Sequence, residues 1–469
     1  MNGKPMAVNL SPELLAEMHE SACRILETVG VEVKHTEVLA AIGGRKGFNY
    51  RKGRICVDRK LVEQWKEQTC RFPQPAAIGR GITGWVDDRQ SHIYDARARA
   101  LRPIIRDDLV EGAKLLAVLA DRGIRGSVPG IPSDVPQEFI PLEQFMISAE
   151  FSAQGGSTNQ VCDVEAAEII YEMNRVCGRK YHQTVWCPSP LVLGGSELDI
   201  LWHMRDRVQS AEVGSMPMMG ISGPCDPISV WTLSIAECIG GATILSELLP
   251  TMPVGICPHP QPADMRTGVL ITGSPEWDVL DRMTRDVMAY YGKRDSRKLL
   301  LTSASVPNAQ AMIEKTASAL TGFAEGYRDF GNLGQLACDE VYSPAQLMLD
   351  LEILGHAERA VAEPASFPEL RLDRLHELAL ETIEDGCLFA EHETTAVLIR
   401  KQYWQPKILR RETMGQFLAA GSPDLVVQAE QEADRLAAQF HYEAPPEQMR
   451  ELRLIYNRAA SALGGAMKT

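Results

Sequence analysis

Residues 216–227 read MPMMGISGPCDP: an apolar run, a turn punctuated by glycine and proline, then Asp226-Pro227, which opens a helix. Apolar runs of this kind mark strands buried on both faces, as in a parallel sheet. At the helix start an aspartate accepts the first N–H groups, and proline lacks the N–H that would be left over. The same grammar recurs at Ser274-Pro275, Ser343-Pro344 and Ser422-Pro423. Soft, aromatic turns follow apolar runs at Val128-Pro129-Gly130, Trp186-Cys187-Pro188, Ile256-Cys257-Pro258-His259, Thr302-Ser303-Ala304, Phe330-Gly331-Asn332 and Cys387-Leu388-Phe389.

Read this way, strands are expected at residues 124–128, 157–162, 184–187, 216–221, 252–257, 299–303, 328–331 and 386–390. Most are spaced by roughly 25–45 residues, the length of a βα unit. Eight such units predict an α/β fold, a (βα)8 TIM barrel. An open doubly wound sheet is the alternative, because periodicity does not show closure. A helix over 11–30, capped by Ser11 and ended at Gly30, begins an N-terminal helical and β cap over 1–105. The barrel is then expected over 106–406, followed by a C-terminal helical extension over 407–469. No G-x-G-x-x-G joins a strand to a helix and no Walker A loop is present, which disfavours dinucleotides and nucleoside triphosphates.

In barrels the strand C-termini build the active site. Here those ends carry almost no Asp or Glu, so they suggest chemistry that asks little of general acids and bases. The net charge of -14 over 469 residues speaks against nucleic acid and anionic membranes and fits a cationic ligand. Eleven cysteines without a Cys-x-x-Cys read as packed thiols in a reducing compartment. With no signal-like N-terminus and no run of about 18 uninterrupted apolar residues, a cytoplasmic protein is expected.

Four groups of residues carry candidate chemistry. Cys187, Cys225, Cys257, His259, Cys338, Cys387 and His392 form a soft set that zinc would accept, although no close ligand pair beyond Cys257-x-His259 supports it. Tyr94, Trp186, Phe330 and Phe389 read either as an aromatic cage for a quaternary ammonium or as plugs of a barrel. Asn332, between Gly331 and Leu333-Gly334, reads as a turn residue or as a polar anchor where backbone approaches a ligand. His259 and His392 offer donors to a carboxylate, or loop caps. Ser222 and Ser303 lack the G-x-S-x-G setting of a nucleophile.

Several blocks resemble the trimethylamine methyltransferase (MttB-like) family. They are LLAEMHESACRILETVGVEV over 14–33, Arg102-Pro103 with Asp107-Asp108-Leu109, and Ser127-Val128-Pro129 through Asp134-Val135-Pro136. Ser343-Pro344-Ala345-Gln346-Leu347, His392-Glu393-Thr394-Thr395 and Tyr403-Trp404-Gln405-Pro406-Lys407 extend the resemblance to nearly the whole chain. It implies a TIM-barrel methyltransferase that moves a methyl group from a methylated amine to Co(I) of a separate corrinoid protein, with no tightly bound cofactor of its own. The archaeal trimethylamine enzymes carry pyrrolysine near the segment matching Phe330 to Cys338, where this chain has standard residues only. Members without it resemble quaternary amine demethylases, which act on glycine betaine, proline betaine, carnitine or related compounds. A quaternary ammonium departs as a neutral amine, so its displacement needs no proton donor. The expected reaction is therefore methyl transfer from glycine betaine to the cobalamin of a corrinoid partner, leaving dimethylglycine. Tyr94, Trp186, His259, Phe330, Asn332, Phe389 and His392 are the expected substrate contacts, and a homo-oligomer is the expected assembly. A zinc-dependent barrel methyltransferase or hydrolase, and a non-catalytic betaine-binding protein, are the alternatives.

Overall fold

The computed structural model describes residues 10–69, 81–153, 161–293, 297–362, 372–384 and 386–462. It is a mixed α/β fold. Among these residues, seven strands run parallel in two arcs: β1 (Thr83–Trp85), β2 (Ile124–Arg125), β3 (His182–Cys187), β4 (Ser210–Ser215), β5 (Val254–Pro258), β6 (Arg297–Leu299) and β7 (Asp329–Gly331). One arc has the order β6-β7-β1-β2 and the other β5-β4-β3, and helices follow the strands.

Several strands lie elsewhere than the apolar runs suggest. The strand expected at 216–221 is instead β4, which ends at Ser215. Its sequence, Ser-Ala-Glu-Val-Gly-Ser, alternates buried Ala211 and Val213 with half-buried Ser210 and Glu212, and so carries no continuous apolar run. β6 likewise precedes the expected 299–303. Residues 386–390 form no strand, and Phe389 in that segment is 50% exposed. Most of 157–162 lies outside the described residues. β1 falls inside 1–105 yet hydrogen-bonds between β7 and β2, so the parallel sheet begins before residue 106.

The helices obey their caps. Ser11 Oγ accepts from Leu14 N at 3.1 Å and opens Pro12–Thr28, whose buried face is Met18, Ala22, Cys23 and Leu26. Asp226, Ser274 and Ser343 cap Pro227–Leu248, Pro275–Tyr290 and Pro344–Ala360. Ser422-Pro423 differs: Asp424 caps, and the helix is Leu425–Ala437. Pro227–Leu248 is long and apolar enough to cross a membrane, but 83% of its apolar window is buried, between the sheet and Pro12–Thr28.

One buried ion pair fixes the loop after β7. Lys315 Nζ lies 2.7 Å from Asp350 Oδ2, and both side chains are fully buried. Asp350 also accepts from Gly334 N at 2.7 Å and from Gln346 Nε2 at 2.8 Å. This carboxylate therefore joins Ala309–Ala324, Pro344–Ala360 and the loop of Asn332. Removing one partner of such a pair leaves an uncompensated buried charge. Lys315→Met is expected to lower unfolding free energy by roughly 3–5 kcal/mol, measured in urea.

Candidate active site at the strand C-terminal ends

A cavity of about 210 Å³ opens where the two arcs end. Each arc contributes one tryptophan, and each indole depends on a glycine in the neighbouring strand. Trp186 of β3 stands in register with Gly214 of β4 and Cys257 of β5. A Cβ at Gly214 would lie 2.6 Å from the Trp186 ring. In the other arc Leu299 is in register with Gly331, and a Cβ there would lie 2.5 Å from the Trp85 indole. Glycine in a strand often marks such a close approach. Trp85, Trp186, Cys257 and Leu299 all line the cavity.

The polar side of the cavity carries both signs of charge, with Arg89, Lys293 and Arg297 beside three carboxylates, and this corrects the expectation of a rim nearly free of carboxylates. Asp87, Asp281 and Asp339 line it. Asp281 is held by Lys298 Nζ at 2.6 Å, and Asp87 lies 3.5 Å from Arg89 Nε. Lys293 is engaged by Glu212 and donates to Ile256 O at 3.0 Å. Burial, and then the charge of Asp87, push Asp339 up to about 6. Burial likewise leads in pushing the adjacent Asp88 up to about 7, with Asp87 again second.

Asn332 follows β7 with φ of 59°, and Ala337, Cys338 and Asp339 are three successive left-handed residues, at 51°, 53° and 81°. Non-glycine residues in this region cost roughly 1–3 kcal/mol each and cluster at functional sites. The strained turn is fastened to the loop after β6 by Ala337 N to Ala304 O at 2.8 Å and Cys338 N to Thr302 O at 3.0 Å. Four buried polar atoms on residues that line the cavity have no hydrogen-bond partner: Asn332 Oδ1, Trp85 Nε1, Trp277 Nε1 and Thr284 Oγ1.

The expected contacts separate into two groups. Trp186, His259 and Asn332 line the cavity, where His259 meets Trp277 edge-on at 5.5 Å. Phe330 points the other way from Gly331, is fully buried and packs on Phe323 at 4.7 Å. Tyr94, on the strand His92–Asp95, lines a separate groove near Glu430 and Asp434. His392 caps the helix Glu393–Gln402 through Nδ1, with Phe389 in the turn before it. Trp85, Trp277, Asp87 and Asp339 escaped the sequence reading. The alternate-position glycines beside tryptophan-bearing strands, Gly214 and Gly331, were the available signal.

The soft rim set is dispersed. Cys187 is buried and Cys225 and Cys387 are exposed, while Cys257 and His259 line the cavity. Among the described residues, the one group of three potential metal ligands is His19, Cys23 and Glu63, on the N-terminal helices. There His19 hydrogen-bonds Tyr291 Oη at 2.9 Å and Glu63 at 3.2 Å, and burial pushes the Cys23 thiol up to about 12.

The glycine–indole contacts are directly testable. Gly331→Ala is expected to displace Trp85, shift tryptophan fluorescence and cost about 1–3 kcal/mol by overpacking. Gly415→Ala, in the helix Met414–Ala419 where a Cβ would meet nothing within 4 Å, is expected to leave the fluorescence unchanged and not to destabilise the protein.

The family model described as trimethylamine methyltransferase (MTTB) matches residues 161–461. A glycine betaine methyltransferase of Desulfitobacterium hafniense is 23% identical over 334 residues, covering 67% of this chain and 69% of that protein. The trimethylamine methyltransferase MttB2 of Methanosarcina mazei is 24% identical over 283 residues, 59% of this chain and 55% of that protein. A trimethylamine methyltransferase MttB of Desulfitobacterium hafniense aligns over 94% of this chain and 91% of its own length at 25% identity. Among solved structures, the Methanosarcina barkeri monomethylamine methyltransferase (MtmB) aligns over 92% of this chain and 88% of that one, with a TM-score of 0.48 and 11% identity. With the family model matching well over half of its length, the chain belongs to the trimethylamine methyltransferase family, whose members are methyltransferases.

Proposed function

We propose that the protein transfers a methyl group from a quaternary amine, with glycine betaine the leading substrate, to Co(I) of a separate corrinoid protein. The observation that carries this reading is the pairing of two indoles, Trp85 and Trp186, with the carboxylates of Asp87 and Asp339 in one cavity. A quaternary ammonium has no N–H, so it is held by ring faces and by diffuse negative charge rather than by hydrogen bonds. Each ring contributes about 0.5–2 kcal/mol, most where water is excluded. A glycine betaine methyltransferase among the relatives supports the same substrate class.

The two arcs also fit a closed (βα)8 barrel. Chain order runs from β1 and β2 through β3, β4 and β5 to β6 and β7, and β7 then pairs with β1, the closing contact of such a barrel. The cavity lies at the strand ends where a barrel enzyme binds its substrate.

A corrinoid supplies the nucleophile for this chemistry, and the chain must do the rest. Its residues strip water from the cation, orient one methyl group and release a neutral amine. Apolar side chains are exposed on the segments after β4 and β5: Met216, which lines the cavity, and Ile221, Met265 and Val269, at 40%, 49%, 60% and 57%. Large exposed apolar patches mark interaction sites.

The test is methylation of Co(I) cobalamin by a panel of quaternary amines, followed in the visible spectrum. Transfer from glycine betaine is expected. Trp186→Ala is expected to weaken substrate binding by about 2- to 30-fold, the equivalent of one ring contact. Absence of methyl transfer from every quaternary amine, or unchanged binding in Trp186→Ala, would overturn the reading.

A further inference from the structure

Within the quaternary-amine reading, we propose that Asp339 is the counter-ion of the bound ammonium group and must lose its proton for the cation to bind. Three independent features of the cavity converge on this residue.

The first is pairing. Asp281, Asp87 and Lys293 each have an opposite charge within reach, as Lys298, Arg89 and Glu212. Among the described residues, no salt bridge reaches the Asp339 carboxylate, and the hydrogen bond it accepts comes from Asn332 Nδ2 at 3.3 Å. Lys315, the lysine behind it, is committed to Asp350 at 2.7 Å. Asp339 is thus a cavity carboxylate with no cation of its own.

The second is Asn332. This side chain is only 3% exposed, its nitrogen is used on Asp339, and its Oδ1 has no partner. Asn332 is one of the residues that line the same cavity. The methyl groups of a quaternary ammonium share its positive charge and make weak C–H···O contacts, which a bare amide oxygen accepts. Asn332 therefore both steadies Asp339 and adds a second acceptor beside it.

The third is backbone. Asp339 ends the run of three left-handed residues, and Asn332 is itself left-handed. None of the four is glycine, the residue that would relieve the strain. Conformations of this kind persist only where the surroundings impose them. Here they carry the carboxylate and the amide into the cavity.

Asp87 and Arg89 face Asp339 from the segment after β1, and Lys315 faces it from Ala309–Ala324. Burial and Asp87 favour its neutral form; Arg89, Lys315 and Asn332 favour the ionised one. The balance stands at about 6 without ligand. A bound cation favours the ionised carboxylate. Affinity is therefore full above that pH and falls as pH drops through it, with one proton released for each cation bound on the acid side.

The experiment is calorimetric titration of the full-length protein with tetramethylammonium chloride from pH 5 to pH 8. The wild-type Kd is expected to be constant above about pH 7 and to rise towards about tenfold per pH unit below about pH 6. Asp339→Asn is expected to weaken binding at pH 7.5 by about tenfold or more and to abolish the pH dependence. Asp87→Asn removes a like charge, so its pH midpoint is expected to move downward. The wild-type profile and the Asp87→Asn shift hold the proposal to account even if Asp339→Asn fails to fold. Wild-type binding that ignores pH, or an Asp339→Asn protein with wild-type affinity and profile, would overturn the counter-ion role alone. A wild type that binds no tetramethylammonium at any pH would overturn the cation site beneath it.

Discussion

Two tryptophans lie against two glycines of the neighbouring parallel strands, and the cavity exists because of that contact. Gly214 and Gly331 leave no Cβ where the rings of Trp186 and Trp85 rest, 2.6 and 2.5 Å from where such an atom would be. Any larger residue would force the indoles off the sheet and into the space a ligand would use. Glycine within a strand costs stability, of the order of 0.5–1 kcal/mol relative to alanine.

The loops after the strands bring charge to the cavity. The segment after β1 brings Asp87 and Arg89, and the strained turn beyond β7 brings Asp339. The turn stays in place because its surroundings are fixed: Asp350, neutralised by Lys315, holds Gly334, and the loop after β6 binds Ala337 and Cys338. A buried pair far from solvent thus supports a half-buried carboxylate that faces the ligand. The division separates charges that hold the fold from a charge that is free to meet a cation.

Much of this was legible in the sequence. The βα period and its capped helices, from Ser11 to Ser343-Pro344, are local chemistry and read directly. Trp186, His259 and Asn332 sit at or just after strand ends, where a motif shows them. Trp85 did not show because β1 is three residues long and Thr83-Gly84 interrupt the apolar residues around it, so no continuous run announces it. Phe330 misled by one position, since neighbouring strand residues face opposite sides and its partner Gly331 carries the cavity face. Asp339 lies eight residues past β7, in the turn of a hairpin, so only tertiary structure brings it to the rim. The apparent scarcity of carboxylates was a property of the strand ends alone.

The central claim is that a quaternary ammonium binds between these indoles and the Asp339 carboxylate. A crystal structure of the protein with bound tetramethylammonium tests it most directly. The account predicts the nitrogen within about 6 Å of the Trp85 and Trp186 ring centroids, with the Asp339 carboxylate as its nearest negative charge. A cation bound away from both indoles, or nearest to another carboxylate, would contradict it.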